Sequence, residues 1–327
     1  MNGRRLRSSR GVRIAVQVGA LLVLAFLALR LRALWREQPA DFSDFDLPLL
    51  AVAALLSLIA VISYGAVWPV ILRRIGAPVP KDSVRMFLQS QLGKYVPGSV
   101  WHYAGRVGLA KARGVGVRLT LVSLGVEVAA STLAAGLVGL FVLPLALALP
   151  LATALWALVV VLGLGARRGA RLLDPVVDAV LWVAERVVRV PRAEMAPAIR
   201  AVPVTAAFYL PVWALYGGAF WLTGRALFPI PAGDVVYFTA AFALGWIAGM
   251  VVVFAPGGIG VREAVLVALL APRVGHTEAI VVAAASRILL TGADLVGGGG
   301  ALALSSLKRR GTVSLPTEVG SGPAQPS

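Results

Sequence analysis

Cysteine does not occur in this 327-residue chain. Its absence excludes disulfides, thiol nucleophiles and cysteine metal sites. Histidine is nearly as scarce: His102 and His276 lie far apart, in no metal-ligand spacing such as HExxH. Acidic charge is also short, with 15 Asp and Glu against 31 Lys and Arg, and charged residues make up only 14% of the chain, where a soluble domain carries about 25%. No serine stands in a nucleophile-elbow context, and no glycine-rich loop carries a P-loop lysine and hydroxyl. With that inventory missing, neither a catalytic set nor a cofactor is expected, and the chain is not expected to be an enzyme.

Apolar residues are abundant instead, at 59% of the chain, with a mean hydropathy of +0.85. Several uncharged stretches exceed the roughly 18 residues that read as a transmembrane helix. The expected fold class is therefore all-α: a polytopic integral membrane protein of about eight transmembrane helices, with one or two broken or re-entrant Pro-Gly segments. The first apolar segment has a basic start but no clear small-residue cleavage site after it, so it reads as a retained anchor.

The net charge of +16 reflects placement rather than a nucleic-acid surface. Basic residues gather in alternate loops, as the positive-inside rule requires. Residues 1–13 form a basic cytoplasmic N-terminus, residues 14–307 the membrane domain, and residues 308–327 a basic and then Pro/Gly/Ser-rich, disordered tail. Of the 31 Lys and Arg, 24 fall in segments assigned to the cytoplasm. Both termini are thus expected inside, in a cell membrane crossed an even number of times.

Spans are expected at residues 14–34, 47–72, 119–166 (two, split near Pro144 and Pro150), 201–224, 235–255 and 279–304. Tyr64 and Trp68 read as interface anchors of the second. Between residues 73 and 118, Val84, Phe87, Leu88, Leu92 and Tyr95 recur at helical spacing after an Asp82 or Ser83 cap, and a second short helical stretch reaches about Arg113. Each arm is too short to span, which suits a re-entrant hairpin or helices lying in the interface. Residues 172–187 read as an amphipathic surface helix. The glycine run 297–300 allows another helix to pack closely. Residues 259–271 either cross fully, which the charge rule favours, or dip in and return.

Two stretches share a pattern: Tyr95-Val-Pro-Gly-Ser99 and Phe254-Ala-Pro-Gly-Gly258. Each precedes a span bearing one buried charge, Glu127 after the first and Arg287 after the second. That is the form of an internal repeat, in which broken helices place their ends near the membrane midplane. A helix starting after Pro256, Gly257, Gly258 and Gly260 presents unpaired N–H groups and a positive dipole end, which suits a phosphate. Arg262 adds a charged fork, and Glu263 offsets the positive end and orients that arginine. Glu127 and Arg287 are expected to pair across the halves, with Asp294 further along the last span. Lys94, His102 and Arg106 are expected to complete a cationic surface for an anionic headgroup. As capped-helix and salt-bridge chemistry, the same residues would serve structure alone.

Together GKYVPGSVW, the span with Glu127, the block PGGIGVREA and Arg287 resemble the transmembrane, flippase-like region of lysylphosphatidylglycerol synthases and its stand-alone relatives, over roughly residues 12–308. The family's glycine–basic–x–x–proline–glycine block falls on Gly93, Lys94, Pro97 and Gly98, and its early acid on Glu127. Its second block falls on Pro256, Gly257, Gly258, Gly260, Arg262 and Glu263, and its later arginine on Arg287. The family often has an arginine directly after that acid, where this chain has Val128. The resemblance implies a plasma-membrane protein whose full-length members move aminoacylated phosphatidylglycerol between leaflets after a soluble domain makes it. No such domain follows the last span in this sequence, so aminoacyl transfer is not expected. The partner implied is a membrane phospholipid or glycolipid, bound in a polar intramembrane cavity and translocated. The alternative is a non-transporting scaffold for a membrane enzyme such as a glycosyltransferase.

Overall fold

A computed structural model of the chain describes residues 45–95, 100–142, 192–251 and 260–311. The expected first span, the partner span after Pro144, the 172–187 helix and the two Pro-Gly tips lie outside those residues. Among the described residues the chain is helical, without strands. Eight α-helices lie within the described residues: α1 (Leu47–Arg74), α2 (Ser83–Gln91), α3 (Trp101–Lys111), α4 (Val117–Gly139), α5 (Arg192–Leu227), α6 (Val235–Val251), α7 (Val261–Val274) and α8 (His276–Gly311). A 3-10 turn, Leu92–Tyr95, extends α2.

Among the described residues, five segments are long and apolar enough to cross a membrane: Leu47–Arg74, Val117–Gly139, Met195–Leu227, Ala232–Met250 and His276–Ser305. The protein is a multi-pass membrane protein. At 1.5 Å per residue, 28-residue α1 is about 42 Å long, against a hydrocarbon core of roughly 30 Å. The 14-residue α7 reaches only about 21 Å. α5 begins at Arg192, earlier than apolarity alone indicates, and continues through Pro197, Pro203 and Pro211, which the packed neighbours of a membrane helix tolerate.

α5 is the hub, packed against α1, α4, α6 and α8. Between these helices Tyr64, Tyr209, Trp213, Tyr216, Phe220, Phe238, Phe242 and Trp246 form a continuous aromatic stack, with Tyr216 and Phe242 nearly parallel at 5.7 Å. Tyr64 and Trp68 are therefore core residues rather than interface anchors. Trp68 is fully buried and donates its indole N–H to Ser123 Oγ at 3.0 Å. A buried indole needs such an acceptor, and Ser123 is one that span hydropathy does not reveal.

Two hairpins enter this frame from opposite ends. The Asp46 amide donates to the Ala226 carbonyl at 2.9 Å, which puts the start of α1 and the end of α5 at one face. α1 then carries the chain to the other face, where the first hairpin opens. There Asp82 Oδ2 accepts from Arg85 at 2.6 Å and from Arg113, beyond α3, at 2.7 Å, so both arms start and end together. Asp82 stands at the N-cap position of α2 without capping it, because its carboxylate is committed to these arginines. Burial works to raise this carboxyl, but the two arginines outweigh it and hold it below the usual carboxylate value. The second hairpin, α6–α7, opens at the first face. Asp234 Oδ1 meets Arg273 Nη1 at 2.5 Å, and the Tyr237 hydroxyl donates to the Leu269 carbonyl at 2.6 Å.

The glycine run does admit a neighbour closely. A Cβ on Gly298 would lie 2.6 Å from Leu92 Cγ and 2.9 Å from the Leu88 carbonyl oxygen, so α8 rests directly on the α2 arm.

Candidate functional site

The first hairpin delivers Lys94 to the middle of α8. Lys94 Nζ pairs with the Asp294 carboxylate, and the neighbouring Tyr95 hydroxyl donates to Asp294 Oδ2 at 2.7 Å. Asp294 is 3% exposed and sits about half-way along α8. Gly93 is needed for this placement, since a Cβ there would fall 2.7 Å from the His102 amide nitrogen and force the hairpin arms apart.

The second hairpin delivers Arg262 and Glu263 to the same region. Gly260 precedes α7 with φ at 89°, a left-handed conformation that favours glycine. Its amide donates to Glu263 Oε2 at 2.7 Å, half of a capping box. Glu263 thus offsets the helix start, as anticipated from the sequence. The arginine that it approaches is Arg287, with Nη1 3.8 Å from Oε1, rather than Arg262. Arg262 lies under the aromatic stack, its guanidinium carbon 4.4 Å from the Phe242 ring centroid. It is 8% exposed, and its Nε and Nη2 have no hydrogen-bond partner among the described residues.

Lys94, Arg262 and Arg287 lie within electrostatic reach of one another and of Asp294, and Glu263 acts on Arg262. Three cations thus face two carboxylates, for a net charge of +1. An isolated basic side chain at the centre of a membrane helix costs roughly 2.5–3.5 kcal/mol on insertion scales. A buried guanidinium with open donors, stacked on a ring, is ready to receive a planar or tetrahedral oxyanion.

The expected Glu127–Arg287 pair does not form. Glu127 Oε2 instead accepts from Arg106 Nη1 at 2.5 Å, and both side chains are buried. Arg106 also donates Nε–H to Ser90 Oγ at 3.2 Å and lies 4.2 Å from the Phe87 ring centroid and 5.4 Å from that of Trp68. It belongs to the core, not to a cationic surface with Lys94. A buried carboxylate takes the nearest cation offered by a packed neighbour, and α3 rather than α8 presents one to Glu127. His102 is half-buried, its ring 3.8 Å from that of Tyr103. The two pairings share a logic: a short hairpin helix pairs with the span that follows it, Arg106 with Glu127 and Glu263 with Arg287, with the signs exchanged.

Sequence reasoning had not assigned Tyr95 and Phe242 to the site. In the sequence Tyr95 stands next to Lys94 and reads as part of an apolar periodicity and of the Tyr95–Ser99 pattern, not as a polar ligand. Phe242, in an uncharged span, carried no signal. Pro97, Gly98, Pro256, Gly257 and Gly258 fall in the tips outside the described residues.

Residues 14–298 match the family model described as the lysylphosphatidylglycerol synthase TM region. The chain belongs to this family. No curated protein and no solved structure matches it. The match spans both hairpins and the charged cluster, so the resemblance carried by GKYVPGSVW and PGGIGVREA holds across the membrane domain.

Proposed function

We propose that this protein binds the anionic or phosphate-bearing headgroup of a membrane lipid at Lys94, Arg262, Glu263, Arg287 and Asp294 and moves that lipid between leaflets without covalent chemistry of its own. The observation that carries this reading is Arg262, a buried guanidinium with open donors in a cluster with one excess positive charge. A phosphate there would satisfy the donors and neutralise the excess. The Lys94–Asp294 and Arg287–Glu263 pairs would keep the unloaded site tolerable in a membrane. The Arg106–Glu127 pair stands apart as a support for the first hairpin.

In this reading the N-terminus lies inside a plasma membrane, and the α2–α3 hairpin re-enters from the cytoplasmic face. The α6–α7 hairpin faces outward. Hairpins inserted from opposite faces are the arrangement that inverted-repeat transporters use for alternating access. Movement would be facilitated or driven by the membrane potential.

The test is transfer of fluorescent phosphatidylglycerol in vesicles reconstituted with the purified protein. Arg262→Ala is expected to abolish transfer while the protein still folds, and Glu263→Ala to do the same. Normal transfer by both variants would sink the reading. No transfer by the wild-type protein, together with a stably co-purifying membrane enzyme, would favour a scaffold.

A further inference from the structure

Away from the central cluster, α1, α2 and α8 enclose an open groove of about 760 Å³, within the roughly 300–1,000 Å³ range of ligand sites. Its walls are apolar, with Leu58 and Ile62 from α1 and Val296 and Leu304 from α8. Such walls alone say little, because any lipid-facing surface is apolar. The rim is the distinguishing feature. Lys81, Arg85 and Arg113 border the groove where the first hairpin opens, against the single acid Asp82. Arg85 and Arg113 each use one Nη2 on Asp82, which leaves most of their five N–H donors available. Lys81 is exposed and adds a third cation. An apolar slot running along two spans and ending at an interfacial patch of net charge +2 has the shape and polarity of a phospholipid.

We infer that this groove binds an anionic phospholipid, with an acyl chain in the slot between α1 and α8 and the phosphate against Lys81, Arg85 and Arg113. The site is separate from the translocation cluster. Basic pockets between membrane helices at an interface have the chemistry for such headgroups. Glycine shapes the slot: a Cβ on Gly300 would meet nothing within 4 Å, so the groove is open where a larger residue would fill it.

The test uses the full chain in detergent, with added dioleoylphosphatidylglycerol or dioleoylphosphatidylcholine and bound lipid counted by native mass spectrometry. Every protein carries Arg262→Ala, so that the central cluster does not contribute. The parent is expected to bind phosphatidylglycerol more tightly than phosphatidylcholine. Lys81→Ala leaves the Asp82 contacts intact and is expected to weaken phosphatidylglycerol about fivefold, the effect of one interfacial charge. Gly300→Leu fills the slot without a backbone clash and is expected to remove binding of both lipids at this site. Unchanged phosphatidylglycerol binding by both variants would overturn the assignment. Loss of both lipids in Gly300→Leu with no effect of Lys81→Ala would overturn the charged half of it. Displacement of phosphatidylglycerol by excess inorganic phosphate would show an anion site without a lipid requirement, which also overturns it.

Discussion

Arg106 and Arg262 are both buried arginines over phenylalanine rings, and their surroundings set them apart. Arg106 has Glu127 and Ser90 and only Nη2 without a partner, while Arg262 keeps both Nε and Nη2 without partners among the described residues. Removing one member of a buried ion pair leaves the other uncompensated and costs about 3–5 kcal/mol, whereas replacing both with apolar groups is often neutral. Arg106→Met and Glu127→Gln are each expected to lower the unfolding midpoint in a detergent-based thermal assay, and the double variant Arg106→Met/Glu127→Leu to recover much of the loss. Arg262→Met is expected to leave that midpoint unchanged or raised, because its buried donors gain little from the described residues. The difference was only partly legible in the sequence. From the sequence Arg106 reads as part of a cationic surface, yet it shares the buried face of α3 with Ala110, one turn on, and that shared phase is the available signal. Depth along a span can be counted from sequence, but direction around it depends on which helix packs there, and that is why Glu127 pairs with Arg106 rather than with the expected Arg287.

The α2–α3 hairpin is held at its open end by Asp82, and its behaviour with pH follows from that carboxylate. The folded-state value lies below the usual one, so the stabilisation is fully present above the ordinary carboxylate range near pH 4 and is lost as pH falls through the lower folded value. Hydrogen exchange of the amides in residues 83–111 is expected to match Asp82→Asn only at the lowest pH and to be slower than in that variant from about pH 5 to 8. Equal exchange across the whole range would show that the contact does not hold the hairpin. The arms themselves were readable from the periodicity of Phe87, Leu88 and Leu92, since an amphipathic helix is a local pattern. Their closure by Arg113 was not, because it joins residues 31 positions apart.

At the scale of the molecule, the two hairpins open at opposite faces and meet at one charged cluster. The Pro-Gly pattern showed that two such units exist. It could not show their inversion, which depends on α1 and α5 running antiparallel through the Asp46–Ala226 contact. The absence of cysteine makes the inversion easy to test. Single Lys111→Cys and His276→Cys variants, at exposed positions just inside α3 and at the start of α8, are expected to react with a membrane-impermeant maleimide from opposite sides of sealed vesicles. Labelling of both from the same side would refute the arrangement. The ion pairs closing the hairpins, Asp82–Arg113 and Asp234–Arg273, carry half-exposed arginines, at 43% and 47%. In the proposed arrangement each faces its own aqueous compartment, where added salt screens charge over about 3 Å at 1 M rather than 10 Å at 0.1 M. On that arrangement, concentrated salt confined to one side of a vesicle should loosen one hairpin and leave the other shut, so that the ionic composition of each compartment would act on one hairpin alone.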